Sequence, residues 1–367
     1  MKHNVIFEAS GLLAGATIGA GIFALPYLFK EAGWLTGLLY VGVLSTLIIF
    51  SHIIFARVLL RIGNHHHLVG LAQTYLGRWG FRVASMTVFA GLLLTLVAYL
   101  ALAAQFLANI FSLPAPFSIF LFWLIVSLPL FFKSRSVAGA ESYGTIVKIV
   151  IIVGLAFISP GILNIARLPA VQLDHIALPF GPILFALGGW TAIPAMIDLQ
   201  KRHSAKGLFP AIALGTIISA LLYILFALAI LGFNPNVSSD IASSMKTMPY
   251  PLNIALILLG LLGLWTVYVS ISLEVKSSFE RDLKLKPKTS MIAAACLPVI
   301  LVMFGFRDFL TLAGLVGGIF LSAQYALILL IARRALQEHG IQKFLVYLVL
   351  CIFLLTTLYE ISAFIVK

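Results

Sequence analysis

The sequence predicts an all-α integral membrane protein with about eleven transmembrane helices, and three observations predict it. Of the 367 residues, 62% are apolar and 10% charged, with a mean hydropathy of +1.11, a balance foreign to water-soluble domains. Apolar runs long enough to cross a hydrocarbon core of about 30 Å as helices recur from end to end. Lys and Arg concentrate in alternate loops between those runs.

The runs lie at roughly 5–29, 34–60, 82–112, 116–132, 138–160, 176–199, 207–232, 251–275, 290–305, 308–332 and 342–365, the ninth being short. Little chain is left between them, so residues 1–367 read as one membrane domain with no soluble module. The first run is expected to be a retained span and not a signal peptide, because it is long, contains Glu8 and Pro26, and shows no A-x-A processing site. With the N-terminus in the cytoplasm, 18 of the 24 Lys and Arg fall in cytoplasmic loops and five outside, while Lys148 is left within a span. That bias sets the N-terminus inside and, with an odd span number, the C-terminus outside, in a cell or inner membrane. It also accounts for the net charge of +12 without a nucleic-acid partner: the partner is the bilayer. Cys296 and Cys351 fall in apolar spans and read as core residues, with no disulfide framework.

The first span contains GATIGAGIFALP, Gly15 to Pro26, and the sixth contains GWTAIP, Gly189 to Pro194. GIFALP and GWTAIP share the pattern G-x-x-A-(Leu or Ile)-P, and five spans separate them, so the two copies enter the membrane from opposite sides, as in inverted repeats. Glycine costs roughly 1 kcal/mol against alanine in a helix interior, and proline removes a donor and crowds the preceding turn. Small residues for close packing explain the glycines. They do not explain glycine combined with proline at two matching places. Both spans are therefore expected to break near mid-membrane, where freed N–H groups attract a carboxylate and freed carbonyls an ammonium or cation. An α-amino acid carries that pair of groups.

GATIGAGIFALPYLFKEAGW, Gly15 to Trp34, resembles the first span of the amino acid–polyamine–organocation superfamily, most of all its bacterial aromatic amino acid permeases, and LFALGGWTAIP, Leu184 to Pro194, is similar to the sixth span of that superfamily. The resemblance implies the five-plus-five inverted-repeat fold of the bacterial leucine transporter, with repeats at about 5–160 and 176–332 and an extra helix at 342–365. It implies that the backbone of Gly19, Ala20 and Gly21 holds a substrate carboxylate. The carbonyls of Ile18, Phe185, Ala186 and Leu187 would hold its ammonium. Trp190, just beyond the second break, reads as a gate or pocket residue, and Tyr99 as a pocket residue or a tyrosine satisfied by a neighbouring helix. Ile22, Phe23, Phe185 and Leu187, with Gly188, give the breaks an apolar lining suited to a hydrophobic or aromatic side chain.

Lys148, in GTIVKIVIIVGLAFI, lies about nine residues into the fifth span, roughly 13 Å along it at 1.5 Å per residue. An ionisable group at that depth is a functional candidate, because charging it in hydrocarbon costs at least about 2.5 kcal/mol; the alternative is an amine that snorkels to the surface. In sodium-independent members of the resembled superfamily a fifth-span lysine stands where sodium-coupled members bind a cation between first-span carbonyls and eighth-span hydroxyls. Here the eighth span reads LWTVYVSIS, with Thr266, Ser270 and Ser272 but no adjacent Thr-Ser pair, which weakens a sodium site. A buried lysine can exchange a proton, so the expected coupling ion is H+ and the coupling residue Lys148.

Glu8, Glu141, Asp198 and Glu274 lie near cytoplasmic ends and read as solvated or paired with loop Arg and Lys, and Glu360 lies in the extra helix. His65, His66 and His67 are adjacent in a loop, a poor geometry for a metal, and no metal or cofactor is expected. Pro235, Pro249 and Pro251 read as turn punctuation. No Ser/His/Asp, Cys/His or carboxylate pair converges within the spans, which argues against an enzyme, and no polar ring suggests a channel. The expected function is secondary active symport of a neutral amino acid by alternating access, an aromatic one being the first choice and a branched-chain one the next. The alternatives are sodium coupling, and an amino acid sensor on the same scaffold. The absence of a mid-membrane acid in the first, third, sixth and eighth spans argues against cationic substrates.

Overall fold

The computed structural model describes residues 2–63, 67–111, 113–131, 135–160, 168–202, 206–245, 248–336 and 340–366. His65, His66, Lys133, Arg167 and Lys246 lie outside these residues, and so does the side chain of Glu141. Among the described residues the chain is helical and has no strand. Seven helices are long and apolar enough to cross a bilayer: Trp34–Ile62, Leu68–Phe111, Phe180–Arg202, Leu208–Phe233, Tyr250–Arg281, Phe309–Ala335 and Gly340–Ile365. The pair Val5–Thr17 and Ala20–Glu31, bent by 56°, makes an eighth, and three shorter apolar helices cover Ala115–Phe131, Gly144–Ile158 and Pro287–Met303. Every apolar run read from the sequence carries one of these helical segments.

The first span consists of α1 (Lys2–Thr17), a 3₁₀ turn (Ala20–Ala24) and α2 (Leu25–Glu31). The second is α3 (Trp34–Ile62). The third is α4, which runs over Leu68–Phe111 and kinks at Gly77, where φ is 73°. Helix thus begins well before residue 82, and Arg78 and Arg82, read as loop residues, are helical. The fourth and fifth spans are α5 (Ala115–Ser127) and α6 (Arg135–Ile158). The sixth breaks between α7 (Phe180–Leu187) and α8 (Ile193–Arg202). Then come α9 (Leu208–Phe233), the short α10 (Ile241–Met245), α11 (Tyr250–Arg281) and α12 (Pro287–Met303). The tenth span is α13 (Phe309–Leu315), a π-helical turn (Val316–Leu321) and α14 (Ser322–Ala335), and α15 (Gly340–Val366) ends the chain.

Proline placement explains where the half-helices start. Pro26 and Pro194 fall at the second residue of α2 and α8, where no intrahelical N–H partner is lost. Each proline therefore opens the helix after its break. Pro249 precedes α11, and Pro251 sits in its first turn.

Two groups of helices form. In one, α1 packs along α9, and α3 packs against α2, α7, α8 and α9. In the other, α4 packs against α5, α11 and α12. Two helices bridge them: α6 touches α9 and α11, while α14 touches α3 and α4. At the end of the bundle away from the N-terminus, Gly33 (φ 94°) turns the chain into α3, and the amides of Trp34 and Leu35 donate to the carbonyls of Pro169 (3.3 Å) and Ala170 (3.1 Å). The Gln172 amide donates back to Ala32 at 2.9 Å. The last helix is peripheral: only 22% of its apolar window is buried, against 61% for α9.

Candidate functional site

Both breaks lie in the core. Gly19 leaves helical geometry at φ −132°, ψ −143°, and Gly189 at φ −155°, ψ 17°. The two spans meet there at backbone distance, since a Cβ on Gly21 would stand 2.4 Å from the Ala186 Cα. Only glycine fits.

A helix that ends inside a membrane leaves carbonyls without partners, and side chains from other spans meet them here. Lys148 is fully buried, which removes the snorkelling alternative. Its Nζ lies 2.7 Å from the Ile18 carbonyl, 3.3 Å from that of Gly15 and 3.4 Å from Thr266 Oγ1. The ammonium thus occupies the C-terminal end of α1, the pole that favours a cation. Tyr223, fully buried on α9, reaches the Thr17 carbonyl (2.6 Å) and the Ala186 carbonyl (2.8 Å), one from each broken span. The Tyr99 hydroxyl covers the first break, 2.7 Å from where a Gly19 Cβ would lie and beside the Ala20 amide.

A cavity of about 260 Å³ extends from the breaks towards the side of the N-terminus. Aromatic rings of Tyr99, Phe185 and Trp190 line it, with the small residues Gly21, Gly188 and Gly189. On the opposite side it is sealed by rings: Phe23 contacts Phe106 (5.0 Å between centroids) and Phe226 (5.6 Å), and Phe185 meets Tyr99 (6.1 Å) and Phe309 (6.3 Å). Trp190 is fixed in place by a hydrogen bond from Nε1 to Gln324 Oε1 at 2.7 Å, and Gln324 in turn donates to the Thr87 carbonyl at 2.8 Å.

Of the residues read as a site, Gly21, Tyr99, Phe185, Gly188 and Trp190 line this cavity. Ile18, Gly19, Ala20, Ile22, Ala186 and Leu187 are buried behind it. The Ile18 and Ala186 carbonyls, read as ammonium ligands, are already engaged by Lys148 and Tyr223. Lys148 sits behind the first break and not in the cavity wall. Of the eighth-span hydroxyls, Thr266 faces Lys148, Ser270 lines the cavity, and Ser272 is buried with its Oγ unpartnered.

Glu274 corrects the sequence reading. It lines the cavity, and its partner is His67, whose Nδ1 lies 3.2 Å from the carboxylate, while Arg281 holds His67 Nε2. The eighth span therefore does carry an acid at the cavity, which weakens the argument against cationic substrates. The cause is that His67, immediately before α4, lies against α11. No run of sequence shows that. Tyr223 and Gln324 escaped for the same reason: a tyrosine or glutamine in an apolar span gives no sign of its partner. Among the described residues no group of three or more His, Cys, Asp or Glu converges as a metal site.

The model of the tryptophan/tyrosine permease family matches residues 2–247, both breaks included. The chain belongs to the tryptophan/tyrosine permease family. Among curated relatives, the amino acid transporter AVT1H of Arabidopsis thaliana is 26% identical over 64% of this chain, and the tyrosine-specific transport system 1 of Haemophilus influenzae is 26% identical over 59%. The alignments cover 57% and 55% of those two proteins, so the chain spans a little over half the length of the relatives it matches. Solved structures support the fold of this family member. MhsT in complex with L-phenylalanine superposes with a TM-score of 0.67 at 14% identity, over 95% of this chain and 98% of that one. The manganese transporter of Eremococcus coleocola gives 0.68 at 13% identity, over 98% and 86%. The nucleobase-cation-symport-1 family transporter Mhp1 gives 0.62 at 14%, over 98% and 91%. The fold is the five-plus-five inverted-repeat architecture with the first and sixth helices broken.

Proposed function

We propose that this permease-family protein is a proton-coupled symporter of a neutral amino acid, with aromatic side chains preferred, working by alternating access in a cell membrane with its N-terminus inside and C-terminus outside. The repeats are residues 5–160 and 176–332. The observation that carries this reading is the Lys148 ammonium on the Gly15 and Ile18 carbonyls and Thr266. A fixed cation there fills the place a coupling ion would take and can give up its proton, whereupon the end of α1 loses its donor and the first break is free to shift. The substrate's carboxylate goes to the amides of Gly19, Ala20 and Gly21 once the Tyr99 hydroxyl moves aside. Its ammonium goes to the carbonyls of the sixth-span break. Its side chain goes among Tyr99, Phe185 and Trp190. Glu274 is paired with His67, which Arg281 in turn holds, so a second ammonium would have to displace His67 to reach that acid.

The test is uptake of labelled tryptophan, tyrosine and leucine into proteoliposomes, under an inward proton gradient and, separately, an inward sodium gradient. A gradient of one pH unit is worth about 1.4 kcal/mol per proton, so one-to-one symport accumulates substrate about tenfold. Lys148→Met is expected to abolish the pH dependence while leaving exchange of labelled for unlabelled substrate. Uptake driven by sodium alone overturns the coupling assignment, and binding without flux under either gradient points to a sensor.

A further inference from the structure

A second buried titratable group stands at the other break. His52, on α3, is fully buried; its Nε2 lies 3.0 Å from the Tyr325 hydroxyl, and its Nδ1 has no hydrogen-bond partner. Tyr325, also fully buried on α14, sets that hydroxyl against the Gly189 amide. A Cβ on Gly189 would stand 3.8 Å from His52 Cε1 and 2.8 Å from Thr17 Oγ1, and both Gly189 and Thr17 line the cavity. The imidazole thus lies directly behind Gly189, a residue of the cavity wall. Packing does not account for a histidine here, because an imidazole nitrogen left without a partner in an apolar interior is costly and a leucine would carry no such penalty.

We propose that His52 is a second proton-binding site, serving the sixth-span break as Lys148 serves the first. The inference rests on the symporter reading above. Lys148 belongs to the fifth span and Tyr325 to the tenth, the equivalent helices of the two repeats and the two that bridge the helix groups. In the conformation seen, the neutral ring donates its Nε2–H to the Tyr325 oxygen and leaves Nδ1 bare, with no partner. A proton from cavity water adds to Nδ1 when the break shifts at Gly189. The imidazolium's charge then strengthens its Nε2–H bond to the Tyr325 oxygen, which draws that oxygen away from the Gly189 amide. On the return step the proton leaves Nδ1 to cavity water, so the ring ends as it began.

Among the described residues, the following titratable groups on the neighbouring helices are engaged elsewhere or exposed. On α9, Tyr223 faces the carbonyls of Thr17 and Ala186. Glu8 of α1 and Asp198 of α8 are exposed, and Lys30 of α2 pairs with Glu31. On α3 itself, Arg57 stacks on Phe209 beyond the core.

The test pairs transport with a direct reading of the ring. Proton-to-substrate stoichiometry is measured in proteoliposomes for wild type, His52→Gln and Tyr325→Phe, with substrate binding as the control. His52→Gln is expected to lose one proton per cycle, lowering accumulation about tenfold per unit of pH gradient, with substrate Kd within twofold of wild type. Tyr325→Phe is expected to shift the pH profile of uptake in the same direction. Independently, hydrogen–deuterium exchange at the imidazole Cε1 of His52 in the wild-type protein, followed by mass spectrometry, is expected to depend on pH and to change when substrate is added. Unchanged stoichiometry in His52→Gln overturns the proposal. So does flat exchange at His52, which also decides the matter if the variants do not fold. Wild-type vesicles that show no proton-driven uptake overturn the symporter reading instead, and His52 exchange still reports whether the ring takes a proton.

Discussion

Tyr223→Phe removes one oxygen from the centre of the protein and is expected to loosen both breaks together. The hydroxyl has one proton, and its oxygen stands 2.6 Å from the Thr17 carbonyl and 2.8 Å from that of Ala186. A single donor is thus shared between two acceptors that belong to different broken helices. Thr17 and Ala186 are both buried, which limits what could replace the hydroxyl at either carbonyl. The net worth of an ordinary hydrogen bond, about 0.5–1.5 kcal/mol, sets the lower bound of the loss. One carbonyl left wholly unpaired, about 1–3 kcal/mol, sets the upper. An expected loss of about 1–3 kcal/mol is a factor of roughly 5 to 150 in the equilibrium that docks the two breaks. Thermal unfolding in detergent micelles, compared with uptake in vesicles, measures it: the midpoint falls and uptake falls with it. If Tyr223→Phe matches wild type in both while Tyr223→Ala lowers both, the ring and not the hydroxyl holds the breaks, and the reasoning fails.

Gly21→Ala places its Cβ 2.4 Å from the Ala186 Cα and 2.6 Å from its Cβ, a clash with backbone that costs about 1–3 kcal/mol to relieve. Uptake is expected to fall at least tenfold, whereas Gly11→Ala, with nothing within 4 Å of its Cβ, leaves uptake unchanged. Asp282, just past the end of α11, is held above the usual carboxylate range by burial, with Glu274 adding to the effect and His67 and Arg281 opposing it, and its Oδ2 has no partner. A carboxyl raised on folding favours the folded state only while protonated, so its contribution is present below the ordinary value of 3.8 and is lost as pH rises through the raised one. Asp282→Asn is therefore expected to raise the unfolding midpoint at pH 7, with the gain disappearing as pH falls below about 4. A midpoint that does not move at pH 7 refutes it.

The helices and the breaks were legible because both are local facts. Twenty apolar residues in a row have few structures open to them in a bilayer, and glycine with proline at matching places interrupts a helix wherever it occurs. Lys148 was legible because a charge inside an apolar run needs a reason. Its acceptors were legible only as first-span carbonyls and eighth-span hydroxyls, and only through the family resemblance, since Gly15, Ile18 and Thr266 lie more than a hundred residues from it in sequence. Tyr223, Gln324, Tyr325 with His52, and Glu274 with His67 were not legible as site residues. Each has an ordinary residue type for its position, and its meaning comes from a partner that only the packing of distant helices supplies. The cavity wall itself was half legible: residues next to a break could be listed, but which faced the cavity and which the core depended on the twist of each half-helix.

The loop that reaches the start of α3 has a mechanical consequence. Its three main-chain hydrogen bonds sew the corner between the first and second spans to the segment that leads into the sixth. Farther in, Tyr223 joins the same two broken spans at mid-depth. Helices seamed at one end and riveted at the middle can swing, but they cannot splay. Movement of these spans away from α4 would therefore carry them together as one plate, with the rings of Phe23 and Phe185 leaving Phe106 and Tyr99 behind.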